Sequence, residues 1–318
     1  MSRTVFISYR HSQAEWVRTR LAPVIRASGA PVILDVIDGQ AGRSLDAQMT
    51  DWVDRAAHVV AVLSPDYFDS DACRLEWDRA MGRDPGFLNG GMLVPVLRET
   101  VDPMPAVLTG TGAPLYLDLR RDGQGRADGA LEMQWQKLLV VWGGTLGTPV
   151  TAWLDALRDI VRDLQDRKHV SLVAGGKTAW PRLLDEVRLQ LAPDPLGVVN
   201  VADPETWERA GFLECTLAAL GVTATLERGN ARADIAGFSR RVRALPEQRL
   251  LFKNLQKITD FPDFGTDLFD ALRFHAMDDG RNLTLLVHTT EPFGGLLPKG
   301  HVLSQMTFTQ VHLTAGPR

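Results

Sequence analysis

Cysteine is scarce. Cys73 and Cys215 are the only two in 318 residues. Two thiols make no disulfide framework and cannot alone close a structural zinc site, so a reducing, cytoplasmic setting is expected and no metal site is predicted. No run of ~18 apolar residues occurs, which excludes a membrane-spanning helix from the prediction. The N-terminus "MSRTVFISYRHSQ" has a short apolar core that runs directly into polar residues, without a signal-peptide h-region or cleavage site. An excess of positive charge is also missing. Thirty-five Lys and Arg stand against 39 Asp and Glu, for a net charge of −4, so no broad basic field for nucleic acid is expected. Neither a solenoid-length repeat nor a long low-complexity tract is present.

What is present is an alternation of short β-branched runs with helical patterns, the mark of parallel α/β sheets. The length suits about two domains. In the first 145 residues, strands are expected at "TVFISY" (4–9), "PVILDV" (31–36), "HVVAVLS" (58–64), "MLVPVLRE" (92–99) and "PLYLDLR" (114–120). Between the first two lies "QAEWVRTRLAPVIRASG", whose Trp16, Leu21, Val24 and Ile25 share one helical face. Pro23 is expected to bend that helix, and Gly29 stands where a C-cap belongs. Ser44 is the expected N-cap of the helix "LDAQMTDWVDRAA", and Asp66 or Asp69 that of the helix carrying Glu76. "ALEMQWQKLLVVWGG" (130–144) closes the domain as an amphipathic helix. A linker and connecting helix are assigned to 146–168, and a second α/β domain to 169–318, with the strand–helix rhythm continuing to "TFTQVHL".

Ligands of parallel α/β sheets bind beyond the carboxyl ends of the strands. Three loops of the first domain should meet there. They bring Ser8, Tyr9, Arg10 and His11; then Asp35, Asp38, Gly39, Gln40 and Gly42; then Ser64 and the start of the Glu76 helix. Such polar, flexible and cationic residues suit a phosphate- and ribose-binding cleft. A plainer reading is open at each position. Glu76 has Arg74 and Arg79 nearby as helical partners, Arg10 and His11 can be solvated loop residues, Cys73 can be core, and "DGQ" can be a turn.

The segments "VFISYRHS", "ILDVIDGQAGRSLDAQM" and "VVAVLSPDYFDSDACRLEW", with the pattern S-x-x-Y-x-x-S…C-x-x-E, together resemble the Toll/interleukin-1 receptor (TIR) domain over residues 1–145. The resemblance implies a flavodoxin-like parallel sheet. It also implies NAD+ cleavage at the nicotinamide–ribose bond, with Glu76 as the essential acid. Ser8, Tyr9, Arg10, Asp38, Gly39 and Ser64 are then the substrate-binding candidates. NAD+ is substrate, and no cofactor is expected. Nicotinamide is already a cationic leaving group, so one carboxylate beside an oxocarbenium-like ribose suffices. The resemblance further implies homo-oligomeric assembly and a setting in signalling or anti-phage defence. Ala72 departs from the aromatic residue that the family often carries before the cysteine.

In the second domain, "VSLVAGGKTAW" puts Gly175, Gly176, Lys177 and Thr178 between a strand and a helix. This resembles the tail of a phosphate-binding loop, with Ser171 where the first glycine should fall. The strand "RLLFKNL" ends in Lys253 and Asn254 instead of the expected carboxylates. The domain is therefore read as a degenerate P-loop-like module resembling AAA and STAND ATPases. It is expected to sense an unidentified activating ligand or partner rather than hydrolyse nucleotide. The competing readings are a non-catalytic TIR adaptor and a nucleotide-hydrolysing switch working through "GGKT".

Overall fold

The computed structural model describes residues 4–34, 44–85, 92–110, 113–124, 128–226, 230–261, 264, 266–277, 282–292, 296 and 301–316. The chain divides into two compact units, Met1–Leu154 and Asp155–Arg318.

The first unit is built on five parallel strands: β1 (Val5–Ser8), β2 (Val32–Ile33), β3 (His58–Leu63), β4 (Leu93–Leu97) and β5 (Leu117–Asp118). Their order is β2-β1-β3-β4-β5, the flavodoxin-like arrangement, and the order reverses between β1 and β3. Both faces of β3 and β4 are buried, which accounts for continuous apolar runs in place of alternation.

Helix α1 is continuous through Ala14–Trp16, a π-type stretch Val17–Leu21, and Ala22–Ala27. The π-type stretch stands just ahead of Pro23. Proline has no N–H to give the i→i−4 ladder, and a π-type turn is one way for the helix to accommodate the loss. Gly29 follows the helix at φ 92°, the left-handed position a C-terminal glycine serves. Helices α2 (Leu45–Arg55) and α3 (Asp71–Arg83) cover one sheet face, packing Met49, Trp52, Val53, Cys73, Trp77 and Ala80 against Phe6, Ala61, Leu63 and Leu97. Ser44 precedes α2, but its side chain makes no capping hydrogen bond.

Helix α4 (Gly129–Val141) meets α1, where the rings of Trp16 and Trp135 lie 6.1 Å apart. Asp122 is fully buried here. It accepts from both indole N–H groups (2.9 and 3.2 Å) and from Arg20 at 2.9 and 2.7 Å. Burial works to raise the Asp122 pKa, but the Arg20 ion pair and the indoles win and hold it below the usual carboxylate range.

Helix α5 (Val150–Gln165) contains the division between the units. The second unit has five parallel strands: β6 (Val170–Ala174), β7 (Leu196–Asn200), β8 (Gln248–Lys253), β9 (Leu283–Thr289) and β10 (Thr309–Leu313). Their order is β10-β6-β9-β8-β7. Helices α6 (Trp180–Gln190), α7 (Arg209–Ala219), α8 (Ala231–Arg243) and α9 (Thr266–Met277) complete it. Phe212, Phe238, Phe252 and Phe269 fill the core. Two of its glycines leave no room for a side chain: a Cβ on Gly197 would stand 2.5 Å from the Ala219 carbonyl oxygen, and one on Gly211 would collide with that of Glu205.

Candidate functional site

The acid of the first unit lies where the strand order reverses. Ser70, rather than Asp66 or Asp69, caps α3: its Oγ accepts from the Cys73 N–H at 3.3 Å. Ser70 has the extended backbone of an N-cap, whereas the two aspartates belong to the preceding short 3-10 turn. From that cap, the buried residues of α3 are Cys73, Glu76, Trp77 and Ala80. This is the i, i+3, i+4, i+7 stripe of a helix facing a core. Glu76 therefore occupies a position that an apolar residue would normally fill, and it is only 7% exposed.

The hydroxyl of Ser8, at the end of β1, donates to Glu76 Oε2 at 2.5 Å. Ser8 Oγ lies 2.6 Å from the Tyr67 hydroxyl. Since Ser8 uses its one proton toward the carboxylate, Tyr67 donates to Ser8. Burial, the largest effect, pushes the Tyr67 pKa well above its ordinary value, so the phenol remains a donor. Two hydroxyls thus point in series at one carboxylate. The nearby arginines are engaged elsewhere: Arg79 holds Asp54, and Arg74 holds Asp71.

The other candidates form a second cluster at the same rim. Ser64, fully buried after β3, donates to Asp66 Oδ1 at 2.6 Å. Arg10 Nε reaches Asp66 Oδ2 at 3.1 Å. The Ser64 hydroxyl foremost, and then Arg10, hold the Asp66 carboxyl below its ordinary pKa. Tyr9 is buried, and its carbonyl accepts from the Cys73 thiol at 3.7 Å. Cys73 is thus a core contact of the β1 loop. His11 is exposed, edge-on to Tyr9. Asp38 and Gly39, with the rest of the predicted glycine loop, lie outside the described residues. Ala72 is half-buried against the core, and the Trp77 indole packs on Tyr67 and Phe68.

Sequence reasoning missed Tyr67 and Asp66 as partners. Two signals could have found them. The tyrosine of S-x-x-Y falls four residues beyond the end of β3, where a side chain can reach back to β1. The C-x-x-E-W-x-x-A spacing is itself an apolar stripe with one acid in it.

At the corresponding rim of the second unit, the Gly-Lys-Thr turn does follow a strand and precede a helix. Ser171 lies inside β6, fully buried. Thr178 turns inward, its Oγ1 and N–H both donating to the Gly175 carbonyl at 2.8 and 3.1 Å. Pro181, in the first turn of α6, has no N–H to offer an anion. A Cβ on Gly175 or Gly176 would meet nothing within 4 Å. Trp180 stacks on His288 with ring centroids 3.7 Å apart. His288, fully buried at the end of β9, accepts the Asn254 N–H on Nδ1 at 3.2 Å. Its Nε2 therefore carries the proton and donates to the Ala174 carbonyl at 3.1 Å. Asn254 Nδ2 continues the chain to Asn200 at 2.8 Å. Burial, reinforced by the Lys253 charge, pushes the His288 pKa down to about 4.

Among the described residues, no group of three or more His, Cys, Asp or Glu could hold a metal ion, and no helix is long and apolar enough to cross a membrane.

Residues 5–133 match the model of the TIR domain family. No curated protein matches the sequence. Among solved structures, the chain is similar to the TIR domain of the Toll-related receptor TRR-2 from Hydra magnipapillata (20% identity, 43% of this chain and 96% of that one, TM-score 0.35). It is similar to a prokaryotic SEFIR domain (19% identity, 45% and 94%, TM-score 0.30). It is also similar to a chain of the Drosophila ORC bound to DNA (16% identity, 52% and 91%, TM-score 0.38). With the family match spanning β1 to the first turns of α4, and the order β2-β1-β3-β4-β5 beneath it, residues 5–133 form a TIR domain.

Proposed function

We propose that the TIR domain is an NAD+ glycohydrolase and that Glu76 is its catalytic carboxylate. The observation that carries this reading is a carboxylate in the buried stripe of α3, reached by the Ser8 hydroxyl at the sheet's switch point. Burying a charge costs several kcal/mol unless it is well partnered, and such groups concentrate at functional sites. The anomeric C–N bond of the ribose breaks, and its electron pair leaves on the nicotinamide nitrogen. The Glu76 charge stabilises the developing oxocarbenium centre. Water adding to that carbon loses a proton and gives ADP-ribose. A hydroxyl or ring nitrogen of the same molecule gives a cyclic isomer.

Arg10 and Asp66 form the polar rim of the same cleft. Assembly of several copies through the TIR domain activates the enzyme, and the second unit controls that assembly by binding a ligand or partner. NAD+ depletion in defence against phage is the setting such an effector fits. The engagement of His288 by Ala174 and Trp180 beside the Gly-Lys-Thr turn favours this regulatory role over nucleotide hydrolysis. Ala72 favours a second reading, a non-catalytic adaptor acting by TIR–TIR assembly alone.

The test is NAD+ consumption at rising protein concentration, with products identified by mass spectrometry and assembly followed by light scattering. Glu76→Gln is expected to lower turnover about 10²–10³-fold with assembly intact. Assembled wild-type protein that consumes no NAD+ supports the adaptor.

A further inference from the structure

A cavity of about 320 Å³ opens where β4 and β5 end, lined by Arg98, Glu99, Thr100, Asp118, Arg120 and Arg121 among others. Three guanidinium groups meet there against two carboxylates. Arg120 is committed to Asp118 through two hydrogen bonds, of 3.0 and 2.7 Å. Glu99 accepts from Gln13 at 2.6 Å. Arg121 pairs with Asp128, which does not line the cavity, and its side chain is 68% exposed.

Arg98 is held differently. Its guanidinium lies over the Trp16 ring at 5.0 Å, and Nη1 donates to the carbonyls of Arg120 (3.4 Å) and Asp122 (3.3 Å). Trp16 is in turn fixed by Asp122. The charge of Arg98 is therefore oriented by carbonyls and a ring face, with no carboxylate pairing it among the described residues. A rigidly held, unneutralised guanidinium beside a concave surface is a site for an anion that a planar fork can grip, phosphate above all.

The cavity is at the carboxyl rim of the sheet that carries Ser8 and Glu76. β4 is two strands from β1, which places its end ~10 Å from that of β1. An extended dinucleotide is longer than this, so one molecule can reach from one strand end to the other. Gln13, from the loop after β1, ties that loop to Glu99 at the cavity wall.

We propose that this cavity is the anion subsite for the pyrophosphate of the dinucleotide, with Arg98 as its principal contact and Arg121 as an accessory one. The proposal rests on the glycohydrolase reading of Glu76 and adds the group that positions the far half of the substrate.

Calorimetric titration of the full chain with ADP-ribose, adenosine and nicotinamide tests it, alongside NAD+ kinetics. Arg98→Gln is expected to weaken ADP-ribose binding about tenfold, the loss of one charge-assisted contact, and to raise KM for NAD+ by a similar factor with kcat little changed. Nicotinamide and adenosine should bind as to wild type. Arg121→Gln alters an exposed side chain that cannot unfold the domain, so a smaller change in the same direction is its expected result. ADP-ribose binding and KM that stay put in both variants overturn the proposal while leaving Glu76 as the acid. If assembled wild type consumes no NAD+, the glycohydrolase reading fails first. ADP-ribose then decides the cavity alone: binding that Arg98→Gln weakens supports it, and binding no tighter than that of adenosine overturns it.

Discussion

At the ends of β1 and β3 a carboxylate is kept buried and two hydroxyls point at it. At the ends of β6 and β9 a neutral imidazole bridges two strands beneath an indole. Both rims belong to five-stranded parallel sheets, and both stand where such sheets bind ligands. The first holds a buried carboxylate with two hydroxyls behind it. In the second, the His288 ring and the Thr178 hydroxyl are satisfied internally: Nδ1 by Asn254, Nε2 by Ala174, and the hydroxyl by Gly175. Shared architecture thus says where chemistry can happen, and the bonding inventory of the rim says which groups are already spoken for.

The comparison can be broken at several points. The largest expected effect is in the first unit. Glu76→Met should abolish turnover, a loss of about 10³-fold, while the melting temperature holds or rises, since the stripe of α3 becomes wholly apolar. A steep fall in melting temperature with the remaining protein still active would make Glu76 a structural group.

Next comes the response to acid. The folded pKa of His288, about 4, lies below the ordinary 6.5. The unfolded chain therefore binds the extra proton first, and stability falls as pH drops from about 6.5 to 4, by roughly 3 kcal/mol for this group. Urea melts of wild type and His288→Gln at pH 7 and 4.5 measure it, and the variant should lack most of that slope. Asp122 in the first unit has a depressed pKa, so its contribution persists to lower pH and is lost only as pH falls through that folded value. The second unit should therefore lose stability at a higher pH than the Asp122 clamp does.

A smaller effect is expected at Tyr67. Phe at this position removes the donor behind Ser8 and should lower NAD+ turnover about tenfold, the worth of one hydrogen bond, with little change in KM. The least is expected of Lys177→Ala, an exposed residue in a turn that Thr178 closes by itself. Stability should move by no more than about 0.5 kcal/mol. ATP or GTP hydrolysis that disappears with this variant would revive the nucleotide switch.

Much of this was legible in the sequence because the signals were local. β9 coincides with the run "LTLLVHT", and both faces of the strands are apolar as a doubly covered sheet requires. Pro23 predicts a disturbed helix, and a π-type turn stands beside it. The cap of α3 was misassigned because Asp66, Asp69 and Ser70 are all competent capping residues, and backbone dihedrals, not side-chain type, choose among them. The Glu76–Ser8–Tyr67 series was not legible as a unit. Its members are 68 and 59 residues apart in sequence, joined only by the parallel register that aligns Ser8 with Ala61. The same holds for His288, whose partners come from two other strand ends and one helix.

The placement of Glu76 inside an apolar stripe has an evolutionary corollary. An acid there is a standing burden on the fold, tolerated while selection acts on what it does. Descendants of this chain released from that selection should drift toward methionine or leucine at position 76, gaining robustness as they do so. On the glycohydrolase reading, a survey of the residue at this one site would sort active copies from retired ones without a single assay.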